Sequence, residues 1–374
     1  MNDKELREIR RRFRPDQSNI MGIRGCLVNE NREIVTTFYQ QMVNCSTEES
    51  EKLLSIMKRT LSGGLGSNLI NIEFDTKQVA DSPEHSLLMS LRKSGLKDDD
   101  AVNRFYRSTA DSINIDGNYV ILLAYDNYDV FSYASDGRKE DSTDVFSYII
   151  CSICPVKQMK TALSFRDYDN LFHSIDADLM LCPPKTGFMF PSFDDRCANI
   201  YGALYYTKDI GDLNEAFIEK IFNVPLPMSA SEQKESFMSC LTETLAEECD
   251  FETMRSVHEQ VSEIVREHKE SKDEEPLTVS KNKLEKMLEY CGVDKDKVDI
   301  FDKKYNDEFG SDTEVNPQNI INVKKFELAT PDVTIKVNPE RKELVSTQVI
   351  NGIKYILIRA ADGVEVNGVN INIK

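Results

Sequence analysis

The sequence predicts an α+β, multidomain protein with a mixed α/β N-terminal body, a helical connector and a small C-terminal β module. Three observations predict it. Two continuous apolar runs, Tyr119 to Ala124 and Val145 to Val156, lie in a region that also carries amphipathic helices. From Asp212 the pattern turns helical, and after Asn316-Pro317 the hydrophobic period becomes two. A chain of 374 residues with 40% apolar content has room for two or three cores. The expected divisions are 1–211 for the body, 212–275 for the connector, and 276–374 for a helical hairpin with the β module.

In chain order, Asn2 to Arg14 reads as an amphipathic helix, with Leu6, Ile9 and Phe13 on one face and Pro15 as its stop. Its other face holds Arg7, Arg10, Arg11, Arg12 and Arg14, the one local excess of positive charge in an acidic chain. Such a face either docks on an acidic or RNA-containing partner or pairs with the protein's own carboxylates. Ile20 to Val28 and Ile34 to Val43 form a hairpin across Asn29 to Arg32. A helix capped by Ser46 or Thr47 follows, with Leu53, Leu54, Ile56, Met57 and Leu61 as its core stripe. It ends in a loop containing Gly63, Gly64 and Gly66, whose amides are suited either to line an anion or simply to turn the chain after a helix. The lysine of a phosphate loop is missing.

Pro83 to Arg92 and Asp98 to Ser112 read as helices, and a polar turn around Ser135-Asp136-Gly137 pairs the two apolar runs. Cys151 and Cys154 stand in the second run, where an extended strand would turn them to opposite faces, so core packing is the expectation rather than zinc. Thr161 to Phe165 is a further strand, and His173 with Asp176 and Asp178 follows it. His173 is expected to join Asp194 or Asp195 as a metal or acid-base group if they meet in space.

Gly187 to Lys208 is the best candidate for a site. Here an apolar stretch around Pro191 meets Asp194, Asp195 and Arg196, and Tyr201 and Tyr205 lie in an aromatic run that fits a strand or a short helix equally. Asp194, Asp195, Arg196, Tyr201 and Tyr205 are the ligand-binding candidates, with an ion-paired structural corner as the alternative. Beyond it, Leu213 to Phe222, Ser231 to Cys249 and Phe251 to Lys272 are helices, interrupted at Pro225 and Pro227, and the stretch to Pro276 is a charged linker. Lys281 to Cys291 and Asp294 to Phe309 form a helical hairpin. Asn351-Gly352 between alternating runs marks a tight β-hairpin, and Asp362-Gly363 and Asn367-Gly368 mark two more turns.

The stretches TLSGGLG (Thr60 to Gly66), GFMFPSFDDRCANIYGALYYTK (Gly187 to Lys208), PDVTIKVNPERKELV (Pro331 to Val345) and GVEVNGVNI (Gly363 to Ile371) are similar to an uncharacterised bacterial domain-of-unknown-function family, number 4317, of low-GC Gram-positive gut bacteria. The resemblance spans nearly all of the chain and implies one integral architecture in a cytoplasmic bacterial protein. It transfers no catalytic residue. The order of glycine loop and α/β unit is also similar to bacterial relatives of eukaryotic-type peptide release factors, but Leu65 stands where their Gly-Gly-Gln loop has its glutamine.

Composition narrows the function classes. A net charge of −18 disfavours broad DNA binding. Absence of an apolar run near 18 residues argues against a membrane span, and nine scattered cysteines suit a reducing, cytoplasmic compartment. No cofactor motif and no spaced metal ligands are found, and the sequence sets no oligomeric state. The leading expectation is therefore a non-catalytic interaction protein docking on an unknown protein or RNA-containing assembly. The alternative is a metal-dependent hydrolase or phosphoryl-transfer enzyme using Asp194 and Asp195.

Overall fold

A computed structural model describes residues 1–133, 139–158, 162–175, 179–225, 228–246, 249–271, 277–311, 313–323, 325–360, 363–366 and 369–371. The chain forms two compact units, Met1–Ser229 and Ala230–Lys374. It is an α+β protein, and β-hairpins close its C-terminal part. The expected connector, 212–275, contributes its first helix to the first unit and its next two to the second.

The first unit begins with α1 (Asp3–Arg11), β1 (Gly22–Val28), β2 (Ile34–Gln41), α2 (Thr47–Arg59) and β3 (Leu69–Glu73). It continues through α3 (Thr76–Asp81), α4 (Pro83–Lys93), α5 (Asp99–Ser112), β4 (Tyr119–Tyr133) and β5 (Lys139–Gln158). Then come β6 (Ala162–Arg166), β7 (Leu171–Ile175), β8 (Leu179–Leu181), β9 (Thr186–Phe190), β10 (Ser192–Asp194), β11 (Cys197–Asn199), β12 (Gly202–Thr207) and α6 (Glu215–Phe222). One antiparallel sheet runs β2-β1-β4-β5-β9-β12-β3, and β8 pairs with the far end of β5. The β1–β2 hairpin, the β4–β5 pair and the helices α1, α2, α4 and α5 lie where the sequence pattern places them.

Both faces of the sheet's central strands are covered, which is why they read as unbroken apolar runs, whereas the edge strand β2 is exposed along its length. On one face Ile121, Leu123, Ile149, Cys151, Phe188 and Tyr205 pack with α4, α5 and α6. On the other, Val120, Leu122, Ile150, Cys154, Met189 and Leu204 meet Leu6, Ile9, Leu54 and Met57 of α1 and α2. Cys151 and Cys154 therefore serve different cores, and all nine cysteines are free thiols. The aromatic run left open between strand and helix is strand β12, because it pairs with β9 on one side and β3 on the other. Gly187 permits the close approach of β9 to β5: a Cβ on it would lie 2.2 Å from the carbonyl oxygen of Cys151.

The second unit opens with α7 (Ala230–Leu245), α8 (Phe251–Ser271), α9 (Lys281–Tyr290), α10 (Lys295–Phe309) and α11 (Pro317–Ile320). Phe237 of α7 meets Phe301 of α10 edge to face, and Tyr305 stacks on Phe309. Three hairpins follow: β13 (Phe326–Ala329) with β14 (Thr334–Val337), β15 (Val345–Ile350) with β16 (Ile353–Ile358), and β17 (Val364–Val366) with β18 (Val369–Ile371). Asn351 and Gly352 turn the middle hairpin with φ of 52° and 81°, as a two-residue type I′ loop requires. His258 on α8 is buried with its Nε2 at 3.1 Å from the Asn322 carbonyl, and burial lowers its pKa. The turn expected at Ser135 to Gly137, the linker ending at Pro276 and the Asn367-Gly368 turn lie outside the described residues, as do Pro227 and Asp362.

Candidate functional site

The Asp-Asp-Arg triplet folds as the tip of a small hairpin. Ser192 pairs with Asn199 and Asp194 with Cys197, so Asp195 and Arg196 are the two loop residues, at φ of 50° and 59°. Positive φ at both is costly for residues with side chains and is accepted where neighbours hold the turn. Two acids of α1 do so: Glu5 accepts from the Arg196 amide at 3.2 Å, and Glu8 accepts from its guanidinium at 2.8 Å and also from Tyr128. Burial works against charge on Arg196, but Glu8 outweighs it and raises the pKa.

Asp194 accepts from Ser192 Oγ at 2.6 Å and Asn199 Nδ2 at 2.7 Å and pairs with the Met1 ammonium group. Burial opposes its ionisation, and these partners overcome that and lower its pKa. Asp195 points to solvent. Tyr201 is 44% exposed, whereas Tyr205 is fully buried, accepting from Thr186 Oγ1 and donating to the Leu213 carbonyl at 2.7 Å. The five candidates thus share one segment, with Asp195 and Tyr201 exposed and Tyr205 in the core. His173 pairs with Asp169 at 2.5 Å, and Asp176 and Asp178 lie outside the described residues. Among the described residues there is no group of three or more His, Cys, Asp or Glu side chains able to hold a metal ion.

The arginines of α1 divide. Arg10 donates to the carbonyls of Leu61 at 2.6 Å and Gly63 at 3.1 Å, which fastens the helix to the end of α2. Arg12 reaches inward to Asp126 at 3.3 Å and lies over the Tyr128 ring. Arg7, Arg11 and Arg14 remain on the solvent side. The glycine loop is closed on itself. Gly66 N donates to Leu69 O, Ser67 N and Leu69 N donate to Gly64 O, and Gly63 and Gly66 take φ of 93° and 76°.

The structure assembles a different recess from residues scattered through the first 127 positions. A groove of about 510 Å³ opens where β1, β2 and β4 pass the end of α4. Helix α4 stops in a Schellman arrangement, with Leu96 N on Leu91 O and Gly95 N on Arg92 O, and this turn sets Lys93 and Lys97 on the rim. Both lysines are exposed and neither has an ion-pair partner among the described residues. Part of their placement is helix chemistry, since cations are favoured at a helix C-terminus.

Arg24, on β1, sits opposite Tyr39 of β2 with its guanidinium 5.8 Å from the ring centre, and pairs with Asp99 at 2.6 Å. Tyr39, 52% exposed, lies with its ring over Gly22, where any Cβ would meet it at 2.5 Å. Tyr125 completes the wall and donates to Asn127 Oδ1 at 2.7 Å. Positions 24, 39, 93, 97 and 125 have no sequence spacing that would reveal them. The legible signals were a lysine on each side of a glycine helix stop and a tyrosine on an exposed strand.

These features define an α+β protein whose first unit carries a basic, tyrosine-walled groove and a closed structural corner. The chain belongs to the family described as a domain of unknown function (DUF4317), whose model matches residues 1–369. None of the curated proteins and none of the solved structures compared with it matches. Among the described residues no helix is long and apolar enough to cross a membrane.

Proposed function

We propose that this protein is a non-catalytic interaction protein that docks on an RNA-containing assembly, with the groove beside α4 as its RNA contact. One observation carries the reading. In a chain of net charge −18, the groove gathers Lys93, Lys97 and Arg24 beside the accessible rings of Tyr39 and Tyr125. Cations that track phosphates next to rings that stack bases are the two elements of single-strand binding. The net negative charge of the chain disfavours broad coating by RNA, which leaves local basic features such as this groove to make the contact.

Fluorescence anisotropy of a labelled single-stranded RNA of about ten nucleotides, titrated at several salt concentrations, tests this. Two phosphate contacts, from Lys93 and Lys97, give a log–log salt slope of about −1.4, at about 0.7 per contact, and Arg24 adds to it only where a phosphate displaces Asp99. Lys93→Glu with Lys97→Glu should remove most of the affinity and flatten that slope, and Tyr39→Ala should weaken binding with the slope unchanged. Wild-type protein that leaves the RNA free at low salt refutes the proposal.

A further inference from the structure

A second depression, of about 320 Å³, lies apart from the groove, between the first turns of α4, the middle of α5 and the end of α6. Its charge pattern is unusual for this chain. Arg104 and Arg107 stand three residues apart on α5, so they are neighbours on one helix surface, and Lys220 of α6 faces the same space. Like charges at that spacing repel. Their ordinary remedy is an acid one turn away, and Asp100 and Asp111 occupy those positions, yet neither makes an ion pair with an arginine. The acid on the rim, Glu84, is occupied elsewhere, accepting from Ser82 Oγ at 2.7 Å and Asn223 Nδ2 at 3.4 Å. Three cations and one acid, Glu84, therefore border this recess, and among the described residues none of the three cations is in an ion pair.

The floor has another character. Leu87 and Ile221 line it, and the Ser108 hydroxyl sits beside the arginines. Guanidinium groups present paired N–H donors that match phosphate oxygens, and an apolar floor accepts the face of a ring or a short chain.

We propose that this depression is a binding site for a small phosphorylated molecule, with its phosphate on Arg104, Arg107 and Lys220 and its apolar or ring portion over Leu87 and Ile221. The site is independent of the RNA groove and does not require it. An anion here neutralises the repulsion between the arginines and ties α5 to α6 through Lys220. Occupancy should accordingly raise the thermal stability of the first unit.

Isothermal titration of the full-length protein tests the proposal, with inorganic pyrophosphate, adenosine 5′-monophosphate and adenosine as probes at fixed ionic strength. The expected result is saturable binding of pyrophosphate and the monophosphate and none of adenosine. Arg104→Ala with Arg107→Ala should weaken that binding at least tenfold, and Lys220→Ala, on a different helix, should weaken it severalfold. Lys93→Glu with Lys97→Glu should leave it intact, which separates this site from the RNA groove. All these side chains are exposed, so circular dichroism of each variant is expected to match wild type. Absence of binding by both phosphate probes, equal binding of adenosine, or full binding by the arginine variant overturns the proposal.

Discussion

Replacing Asp126 with alanine should loosen the N-terminal segment from the sheet, and the size of the effect follows from its partners. Asp126 is fully buried on β4 and accepts from Arg12 Nε at 3.3 Å, Tyr148 OH at 2.9 Å and the Asn19 amide at 3.1 Å. Alanine leaves the Tyr148 hydroxyl, itself fully buried, without its acceptor and Arg12 without its anion. Breaking a buried ion pair costs about 3–5 kcal/mol, and an orphaned buried donor about 1–3 kcal/mol. Arg12 retains 13% side-chain exposure and can turn part of its charge to water, so about 3–5 kcal/mol is the expected total. For a unit of this size that lowers Tm by roughly 6 to 20 °C.

Asparagine should be milder, at about 1–2 kcal/mol, because it keeps an acceptor for Tyr148 and the Asn19 amide. The pH dependence has a definite sign. Burial, outweighing Arg12, Tyr148 and Asn19, raises the Asp126 pKa in the folded state. The protonated form is therefore the one that folding favours, and its contribution is complete below the unfolded value of about 4 and is lost as pH rises through the raised native value. The advantage of wild type over Asp126→Asn should shrink across that window. Differential scanning calorimetry of both variants from low to neutral pH, with hydrogen exchange of α1, measures this. A Tm loss under about 3 °C for Asp126→Ala, or an advantage that grows with pH, refutes the reasoning.

Gly187→Ala should destabilise the first unit by about 3 kcal/mol, the upper end for overpacking, because the new methyl group meets the Cys151 carbonyl of the adjoining strand, which no rotamer change relieves. Urea denaturation reads this directly; Gly117→Ala, which meets nothing within 4 Å but is strained by its φ of 76°, should cost about 1–2 kcal/mol and serves as the comparison. Native protein treated with a thiol reagent near pH 8 should label Cys197 and Cys249 first, since both are exposed. Cys26 and Cys154, whose thiols burial pushes up to about 12, should react only after unfolding.

Much of this fold is written in local patterns. Ser46 and Glu49 form the capping box of α2, Asp98 caps α5, and Asn351-Gly352 turns its hairpin, each by chemistry contained within a few residues. The opposite facing of Cys151 and Cys154 follows from strand alternation alone. What the pattern does not contain is strand order. β3 reaches the sheet edge through β12, more than a hundred residues later, and the pairings of β12 with β3 and β9 decide between strand and helix for the aromatic run.

The candidate segment shows the same limit. Asp195-Arg196 lacks the usual Asn-Gly signature of a type I′ turn, and the acids that stabilise it come from α1 at the other end of the first unit. The groove needs side chains from three strands and a helix end. Its glycine, Gly22, acquires meaning only when Tyr39 is placed across from it.

One consequence of the doubly covered sheet concerns how the first unit comes apart. Successive residues of β4 and β5 alternate between the two cores, so each helical layer grips the same pair of strands from its own side. Peeling away either layer bares the underside of the strands that anchor the other. Losses on the two sides are therefore mechanically linked, and the unit should melt as a single cooperative block with no half-clad intermediate.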